Sequence, residues 1–256
     1  MVTPGQFSPF VPINRGSEKP PILIVHGFSG TVQCHELARE IRGGHPIYGV
    51  QAKGIDGLEK PFQGVEDLAS FYLDELEKSR LEGPYILIGY SFGGLVAFEM
   101  ARRLLENEQR VAMLVLLHAF PHPRFLSVDL RARLIGKRMG RHLKEMRRMP
   151  MQAGSYLVSR FKRRWRSVSI VHEANYRAYT NYRPRFYPGK VKFVATSVKA
   201  FFPDDPVAVW GDLVHELEVE VVPGDHLSIV TTDFRPLASV LTRYVEEVTP
   251  RTSSHK

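Results

Sequence analysis

Short apolar runs alternate with amphipathic stretches over the first half of the chain. Such alternation is typical of βα units that cover both faces of a parallel sheet. The apolar runs predict buried strands at Ile22–Val25, Ile47–Val50, Tyr85–Gly89 and Val111–Leu117, preceded by an antiparallel edge strand within Phe7–Asn14. The stretches between them predict helices at Val32–Ile41, Val65–Leu81 and Phe92–Leu105.

The segment Pro121–Pro188 interrupts this pattern and carries few strand signals. It predicts a helical insertion (residues 121–188) within one domain spanning residues 1–256, with helices near Val128–Arg148 and Tyr156–Trp165. Beyond the insertion the alternation resumes. It predicts a strand at Val191–Ala195, a helix near Val207–Leu213, a strand at Leu217–Val222 and a closing helix that ends at Glu247.

The composition is that of a globular chain: 43% of its 256 residues are hydrophobic, enough to build a substantial core. Cys34 is the only cysteine, so no internal disulfide forms and a reducing cytoplasm is the expected compartment. The N-terminal segment lacks the apolar core of a signal peptide. The longest uncharged runs, such as Gly83–Phe98, are shorter than the ~18–20 residues that span a bilayer. Neither export nor a transmembrane helix is expected.

A candidate nucleophile lies in the GxSxG segment Gly89–Gly93. These three fixed positions are a weak signal alone, but here a β-like run leads into the motif and a helical pattern follows it. That strand, sharp turn and helix expose a serine hydroxyl for nucleophilic attack, and the glycines are needed because side chains would crowd the turn. We predict Ser91 as the nucleophile; an incidental serine in a glycine-rich turn is the alternative.

A serine hydroxyl needs a base to take its proton and donors to stabilise the oxyanion that forms. His226 follows the last predicted strand, which is where hydrolases with a G-x-S-x-G turn carry the base. A surface histidine without a catalytic role is the alternative. The predicted oxyanion donors are the backbone N–H groups of Phe92, at a helix start, and of Phe28, in the loop His26–Gly30. An ordinary βα turn is the alternative for that loop.

Four segments of the sequence resemble α/β-hydrolase thioesterases that serve non-ribosomal peptide, polyketide and fatty acid synthases. They are PPILIVHGFSG, PIYGVQAKGIDG, GPYILIGYSFGGLVAFEMARRL and VVPGDH. The resemblance covers most of the chain and is weakest over Pro121–Thr180, where such enzymes carry a variable helical lid. It implies an α/β-hydrolase fold, with a mostly parallel sheet, helices on both faces and a helical lid insertion. It also implies Ser91 as the acylated nucleophile, His226 as the general base, Phe28 and Phe92 as oxyanion-hole amides, and no metal or organic cofactor.

The acid of the expected triad is absent from one position that the resemblance indicates. Many synthase-integrated thioesterases place an aspartate after the strand matching Val111–Leu117, and this chain has His118 there. Because a neutral imidazole cannot supply the negative charge that stabilises a histidinium, we do not expect His118 to be an equivalent third member. Stand-alone editing thioesterases place the acid after the next strand. Asp205 is therefore the predicted acid, and Asp204, a weakened dyad or another carboxylate such as Asp225 are the alternatives.

Positive charge concentrates in Arg124–Arg166, here called the basic segment. It carries 14 Lys and Arg against two acids, a local charge of +12, whereas the whole chain is at +8 and the remainder therefore at −4. The basic segment is either a solvated lid face or a docking surface for an acidic carrier protein with a phosphopantetheine-bound substrate, and acyl-coenzyme A would suit the same charge. The candidate docking residues are Lys137, Arg138, Arg147 and Arg148.

Nucleic acids and anionic membranes are two further classes of partner that carry negative charge. A nucleic acid is not expected, because the sequence contains no recognisable nucleic-acid module and such binding leaves the serine motif unexplained. An amphipathic helix lying on an anionic membrane, without stable insertion, remains an alternative.

Together these features predict a serine thioesterase that releases acyl or peptidyl chains from a phosphopantetheine carrier, by hydrolysis or cyclisation, or that edits them. The residues do not distinguish water from an internal nucleophile as the second attacking group. A carboxylesterase or lipase on the same fold is one alternative. A non-catalytic carrier-binding protein is the other.

Overall fold

The computed structural model describes residues 7–16, 18–30, 34–79, 81–126, 162–198, 203 and 205–248, without the side chains of 162–167. Its strands are β1 (Phe10–Asn14), β2 (Ile22–Val25), β3 (Ile47–Val50), β4 (Tyr85–Tyr90), β5 (Val111–Leu117), β6 (Tyr187–Thr196) and β7 (Val214–Val222). They form one sheet in the order β1-β3-β2-β4-β5-β6-β7. β1 pairs antiparallel with β3, and every other pair is parallel, which confirms the predicted antiparallel edge.

The helices of the described part lie between and after these strands. They are α1 (His35–Glu40), α2 (Val65–Ser79), α3 (Phe92–Glu106), α4 (Lys162–Asn181), α5 (Pro206–Trp210), α6 (Ser228–Thr231) and α7 (Phe234–Val248). Short 3₁₀ turns occur at Pro123–Phe125 and Gly211–Leu213. No helix among these residues is long and apolar enough to cross a membrane.

The central strands β2, β3, β4 and β5 bury side chains on both faces, which explains their continuous apolar runs in the sequence. In β2, Leu23 and Val25 belong to a core layer that includes α2 and α3, whereas Ile22 and Ile24 belong to the opposite layer, which includes α1 and α7. Successive side chains of a strand point to opposite faces. A strand covered by helices on both sides is therefore apolar at every position.

The predicted insertion is only partly described. The predicted helix Val128–Arg148 lies outside the described residues, and of Tyr156–Trp165 only the last positions fall within α4. The insertion was predicted to end near Pro188, and β6 begins at Tyr187. Proline is tolerated near a strand start or at an irregularity. The register between β6 and β7 shifts at this point.

Candidate active site

Six parallel strands end at the same edge of the sheet, and five of them are followed by a polar residue of the candidate site or end in one. The carboxyl ends of parallel strands are the usual place for a site in an open α/β sheet. The residues concerned are His26 after β2, Ser91 after β4, His118 after β5, Thr196 at the end of β6 and His226 after β7.

Ser91 occupies a strained turn between β4 and α3. Its backbone has φ 55° and ψ −121°, a conformation that L-residues rarely adopt and that costs energy. The turn requires close backbone approach: a Cβ on Gly93 would lie 2.2 Å from the His26 carbonyl oxygen, and one on Gly89 would lie 2.4 Å from the Gly93 carbonyl oxygen. The sequence thus has glycine at both positions where another residue would displace the backbone.

His226 faces the hydroxyl of Ser91. Its Nε2 lies 3.0 Å from Ser91 Oγ, within hydrogen-bond reach of the proton that a base must remove. The Tyr90 ring stacks on the imidazole with a 5.0 Å centroid separation, and the Tyr90 hydroxyl donates to the His226 carbonyl oxygen over 2.8 Å. Burial lowers the pKa of His226 to about 4, partly offset by the charge of Asp225. The imidazole is therefore neutral, and able to accept a proton, across the physiological range.

The predicted oxyanion donors lie on adjacent elements. Phe92 is the first residue of α3, so its backbone N–H has no acceptor within the helix. The Phe28 ring stacks on the Phe92 ring with centroids 5.1 Å apart, and Asn175 Nδ2 donates to the Phe28 carbonyl oxygen over 3.1 Å. Nothing in the sequence marks Asn175, which reaches this loop from α4. The oxyanion role of the two amides stays a prediction.

His26 supports the loop that carries Phe28. Its Nδ1 donates to the Gly27 carbonyl oxygen over 2.7 Å, so its Nε2 is free to accept from the Tyr72 hydroxyl, 2.8 Å away. Burial lowers the pKa of His26 to about 4. His26 is therefore a neutral, doubly hydrogen-bonded support of the β2 end.

Asp205, the predicted triad acid, lies at the start of a helix in the structure. Its Oδ1 accepts the backbone N–H groups of Val207 and Ala208, at 3.0 and 3.1 Å, and caps the N-terminus of α5. An aspartate before a proline at the first helical position is also a common helix start. The carboxylate is used for that purpose and does not contact His226.

The alternatives to Asp205 fare differently. Asp225 accepts the backbone N–H groups of Leu227 and Ser228 at 2.8 and 2.9 Å, and those hydrogen bonds lower the pKa of its exposed carboxyl group. Asp204 lies outside the described residues. The Nδ1 of His226 instead lies 2.8 Å from Nδ1 of His118.

His118 thus stands in the place that we did not expect it to fill. It is buried, adopts a positive φ of 46°, and its backbone N–H donates to the Val194 carbonyl oxygen over 2.8 Å. Its Nε2 lies 3.1 Å from the hydroxyl of Thr196, which in turn donates to the Val198 carbonyl oxygen over 3.1 Å. Burial and the neighbouring His226 lower the pKa of His118 to about 3.

Aromatic side chains of α4 pack beside the predicted oxyanion loop. His172, Tyr176 and Tyr179 have ring centroids 5.6, 6.2 and 5.4 Å from that of Phe28. Tyr176 is 51% exposed, so this wall has an apolar, solvent-accessible side. The docking candidates Lys137, Arg138, Arg147 and Arg148 lie outside the described residues. In the part of the chain that is described, no group of three or more His, Cys, Asp or Glu is arranged to hold a metal ion.

The chain is similar to several known proteins. The model of the thioesterase domain family matches residues 20–244. Aspulvinone E synthetase melA of Aspergillus terreus is 32% identical over 119 residues, which are 46% of this chain and 13% of that protein. The dimodular nonribosomal peptide synthase of Bacillus subtilis is 35% identical over 113 residues, 44% of this chain and 5% of that protein. The chain therefore spans only a small part of the length of these relatives.

Solved structures show the same architecture. The Vlm2 thioesterase domain bound with a dodecadepsipeptide has a TM-score of 0.64 at 23% identity, over 93% of this chain and 97% of that chain. This likeness, with the mostly parallel seven-stranded sheet and its flanking helices, confirms the predicted α/β-hydrolase fold.

Proposed function

The chain belongs to the thioesterase domain family, and from that premise we propose that it is a serine thioesterase that works through an acyl-enzyme. The observation that carries the proposal is the pair formed by Ser91 and His226. The serine is held in a strained strand-to-helix turn, with its Oγ 3.0 Å from an imidazole nitrogen that burial keeps unprotonated. A nucleophile and a base within hydrogen-bond reach are what acyl transfer requires.

Acylation follows from this geometry. His226 Nε2 takes the Ser91 hydroxyl proton as Oγ bonds to the thioester carbonyl carbon, and the carbonyl electrons move to the oxygen. The backbone N–H groups of Phe28 and Phe92 stabilise that oxyanion. The tetrahedral intermediate collapses, the C–S bond breaks, and the leaving thiolate takes the proton from His226. Ser91 is left as an ester of the acyl chain.

Release repeats these steps with a second nucleophile. His226 takes a proton from water or from an internal amine or hydroxyl of the acyl chain, which attacks the Ser91 ester. The proton then returns to Oγ as the C–O bond breaks. Water gives a free acid, and an internal nucleophile gives a ring. Editing of wrongly charged carriers uses the same hydrolytic route.

The proposed substrate is an acyl or peptidyl chain held as a thioester on a phosphopantetheine carrier protein, with acyl-coenzyme A as the simpler analogue. Two observations support this assignment. The matched relatives are synthetases, of non-ribosomal peptides in one case. The basic segment, at +12, suits an acidic carrier and its phosphate.

A fluorophosphonate probe combined with a matched ester pair tests this proposal. We expect the probe to label Ser91 stoichiometrically, and an acyl thioester to turn over at least about tenfold faster than the corresponding oxygen ester. Preference for the oxygen ester would identify a carboxylesterase or lipase instead. Failure to label Ser91 would favour a non-catalytic carrier-binding protein.

Reversing charge in the basic segment tests the carrier assignment. In the variant Lys137→Glu/Arg138→Glu we expect the KM for a carrier-bound thioester to rise about tenfold, because complementary charge steers association. The variant Arg147→Glu/Arg148→Glu is expected to behave alike. Turnover of a small N-acetylcysteamine thioester should stay within about twofold of the original rate.

The control for these variants places the same charge change elsewhere. Lys60→Glu/Arg235→Glu alters two exposed residues outside the basic segment and should leave both KM values unchanged. Equal loss with the carrier-bound and the small thioester, or equal loss in the control, would contradict docking through the basic segment.

A further inference from the structure

Four side chains form a continuous hydrogen-bonded series that begins at Ser91. Ser91 Oγ and His226 Nε2 are 3.0 Å apart, His226 Nδ1 and His118 Nδ1 are 2.8 Å apart, and His118 Nε2 and Thr196 Oγ1 are 3.1 Å apart. The Thr196 hydroxyl then reaches the Val198 carbonyl oxygen over 3.1 Å. The series crosses the ends of β4, β7, β5 and β6.

The end of the series fixes the direction of every hydrogen bond in it. A carbonyl oxygen only accepts, so the single Thr196 hydroxyl proton points at Val198, and the Thr196 oxygen accepts from His118 Nε2–H. A neutral imidazole carries one N–H, so His118 Nδ1 is an acceptor. Two nitrogens 2.8 Å apart need one proton between them, which therefore sits on His226 Nδ1. His226 Nε2 is then unprotonated and can accept a hydrogen bond from the Ser91 hydroxyl.

We propose that His118 is a positioning residue that accepts the Nδ1–H of His226 and thereby fixes the tautomer in which Nε2 is the base. Thr196 is a second positioning residue, because its hydroxyl fixes the tautomer of His118. The inference rests on the proposed function, since it concerns how the base of that reaction is oriented.

The backbone at His118 is built for this role. Its positive φ of 46° is uncommon for a residue other than glycine and is energetically unfavourable. Ser91 N–H donates to the Leu117 carbonyl oxygen over 3.0 Å, and His118 N–H donates to that of Val194 over 2.8 Å. These bonds tie the nucleophile turn, the end of β5 and the end of β6 into one unit, which aims the His118 ring at His226.

A neutral acceptor orients the base without stabilising its protonated form. The groups that face the two imidazoles include the buried Tyr90 hydroxyl, the Ser91 and Thr196 hydroxyls, and the exposed Asp225 carboxylate on the loop of His226 itself. The low pKa values of both imidazoles agree with this neutral pair. A carboxylate at position 118 would instead favour the histidinium and raise its pKa.

Replacements at position 118 separate shape, acceptor and charge. His118→Phe fills the ring volume but removes the acceptor, and we expect kcat/KM for a small thioester to fall about 10²-fold, as misplacement of a reacting group does. His118→Asn keeps an acceptor near the position of Nδ1, and should recover to within about tenfold of the original enzyme. Asparagine also tolerates the positive φ. His118→Asp adds the charge.

The pH profile distinguishes positioning from simple packing. In the original enzyme the acid limb of kcat/KM should fall near pH 4, where His226 becomes protonated. In His118→Asp the limb should move up by about two pH units, because the carboxylate stabilises the histidinium. His118→Asn should leave the limb in place.

Thr196 supplies an independent matched pair. Thr196→Val removes the hydroxyl that accepts His118 Nε2–H and should lower kcat/KM about tenfold, since loss of this hydrogen bond weakens the preference for the Nε2–H tautomer. Thr196→Ser keeps the hydroxyl and should restore the rate. Nitrogen-15 NMR of the imidazoles measures the two tautomers directly and needs no substrate. We expect the Nδ1–H tautomer for His226 and the Nε2–H tautomer for His118.

Failure of this inference is distinct from failure of the proposed function. If the original enzyme forms no acyl-enzyme, the proposed function fails. If it turns over thioesters while His118→Phe keeps the original rate, or while the acid limb lies near pH 7 and Asp204→Asn abolishes activity, the positioning role of His118 is overturned. Nε2–H tautomers on both imidazoles would overturn it equally.

Discussion

Replacing Ser91 by alanine is expected to lower kcat for thioester hydrolysis by about 10⁴–10⁶-fold. The variant keeps the His226 base and the oxyanion amides but has no hydroxyl oxygen to accept the acyl group. The remaining activity can come only from direct attack of water on the bound thioester. The measurement is steady-state release of thiol from a small acyl thioester, at enzyme concentrations high enough to detect the residual rate.

Folding of the Ser91→Ala variant must be checked alongside its rate. The Ser91 side chain is buried and faces His226. Alanine is smaller than serine and leaves Gly89 and Gly93 unchanged, so the close backbone contacts of the turn are kept. The thermal midpoint should therefore change by only a few degrees. A correctly folded variant that retained more than about a hundredth of the original kcat would show that another group is the nucleophile.

Replacing His226 by alanine is expected to lower kcat by a similar factor, about 10⁴–10⁶-fold, because the hydroxyl of Ser91 is then not deprotonated in the transition state. The two residues act as a unit, so the double variant Ser91→Ala/His226→Ala should be no slower than either single variant. The measurement is a double-mutant cycle on kcat for the same small thioester.

His215→Ala is the matched control for the histidine substitution. His215 is exposed on β7, the strand that leads to His226, so its loss should leave kcat within about twofold. Additive losses in the double variant would indicate that Ser91 and His226 act independently. That result would contradict a base and nucleophile pair.

The pairing of Ser91 with His226, the proposed nucleophile and base, was predictable from sequence because each residue has a local signature. Ser91 is surrounded by glycines that a tight turn requires, between a buried strand and an amphipathic helix. His226 follows an alternating strand at the end of the sheet. Local patterns also predicted the strands, because strands buried on both faces are apolar at every position. They predicted α2 and α3 to within two residues, but they missed most of α4, which runs to Asn181.

The third member was not predictable in the same way, because its function depends on contacts between distant segments. Asp205 has the local sequence signature of a helix cap, and its carboxylate accepts hydrogen bonds from the backbone at the start of α5. The neutral charge of an imidazole is the reason that His118 was not expected as the third member. Its acceptor role depends on Thr196, 78 residues away in sequence, and on the direction of the Thr196 hydroxyl. No spacing rule contains that information.

Intact-protein mass spectrometry of a reaction quenched during turnover tests the central claim most directly. With a slowly released acyl thioester, the original protein should gain the mass of one acyl group, and peptide mapping should locate it on Ser91. Ser91→Ala should gain none under the same conditions, whereas His118→Phe should still acylate, at a reduced rate. Acylation at another residue, or an acyl adduct that persists in Ser91→Ala, would contradict the account.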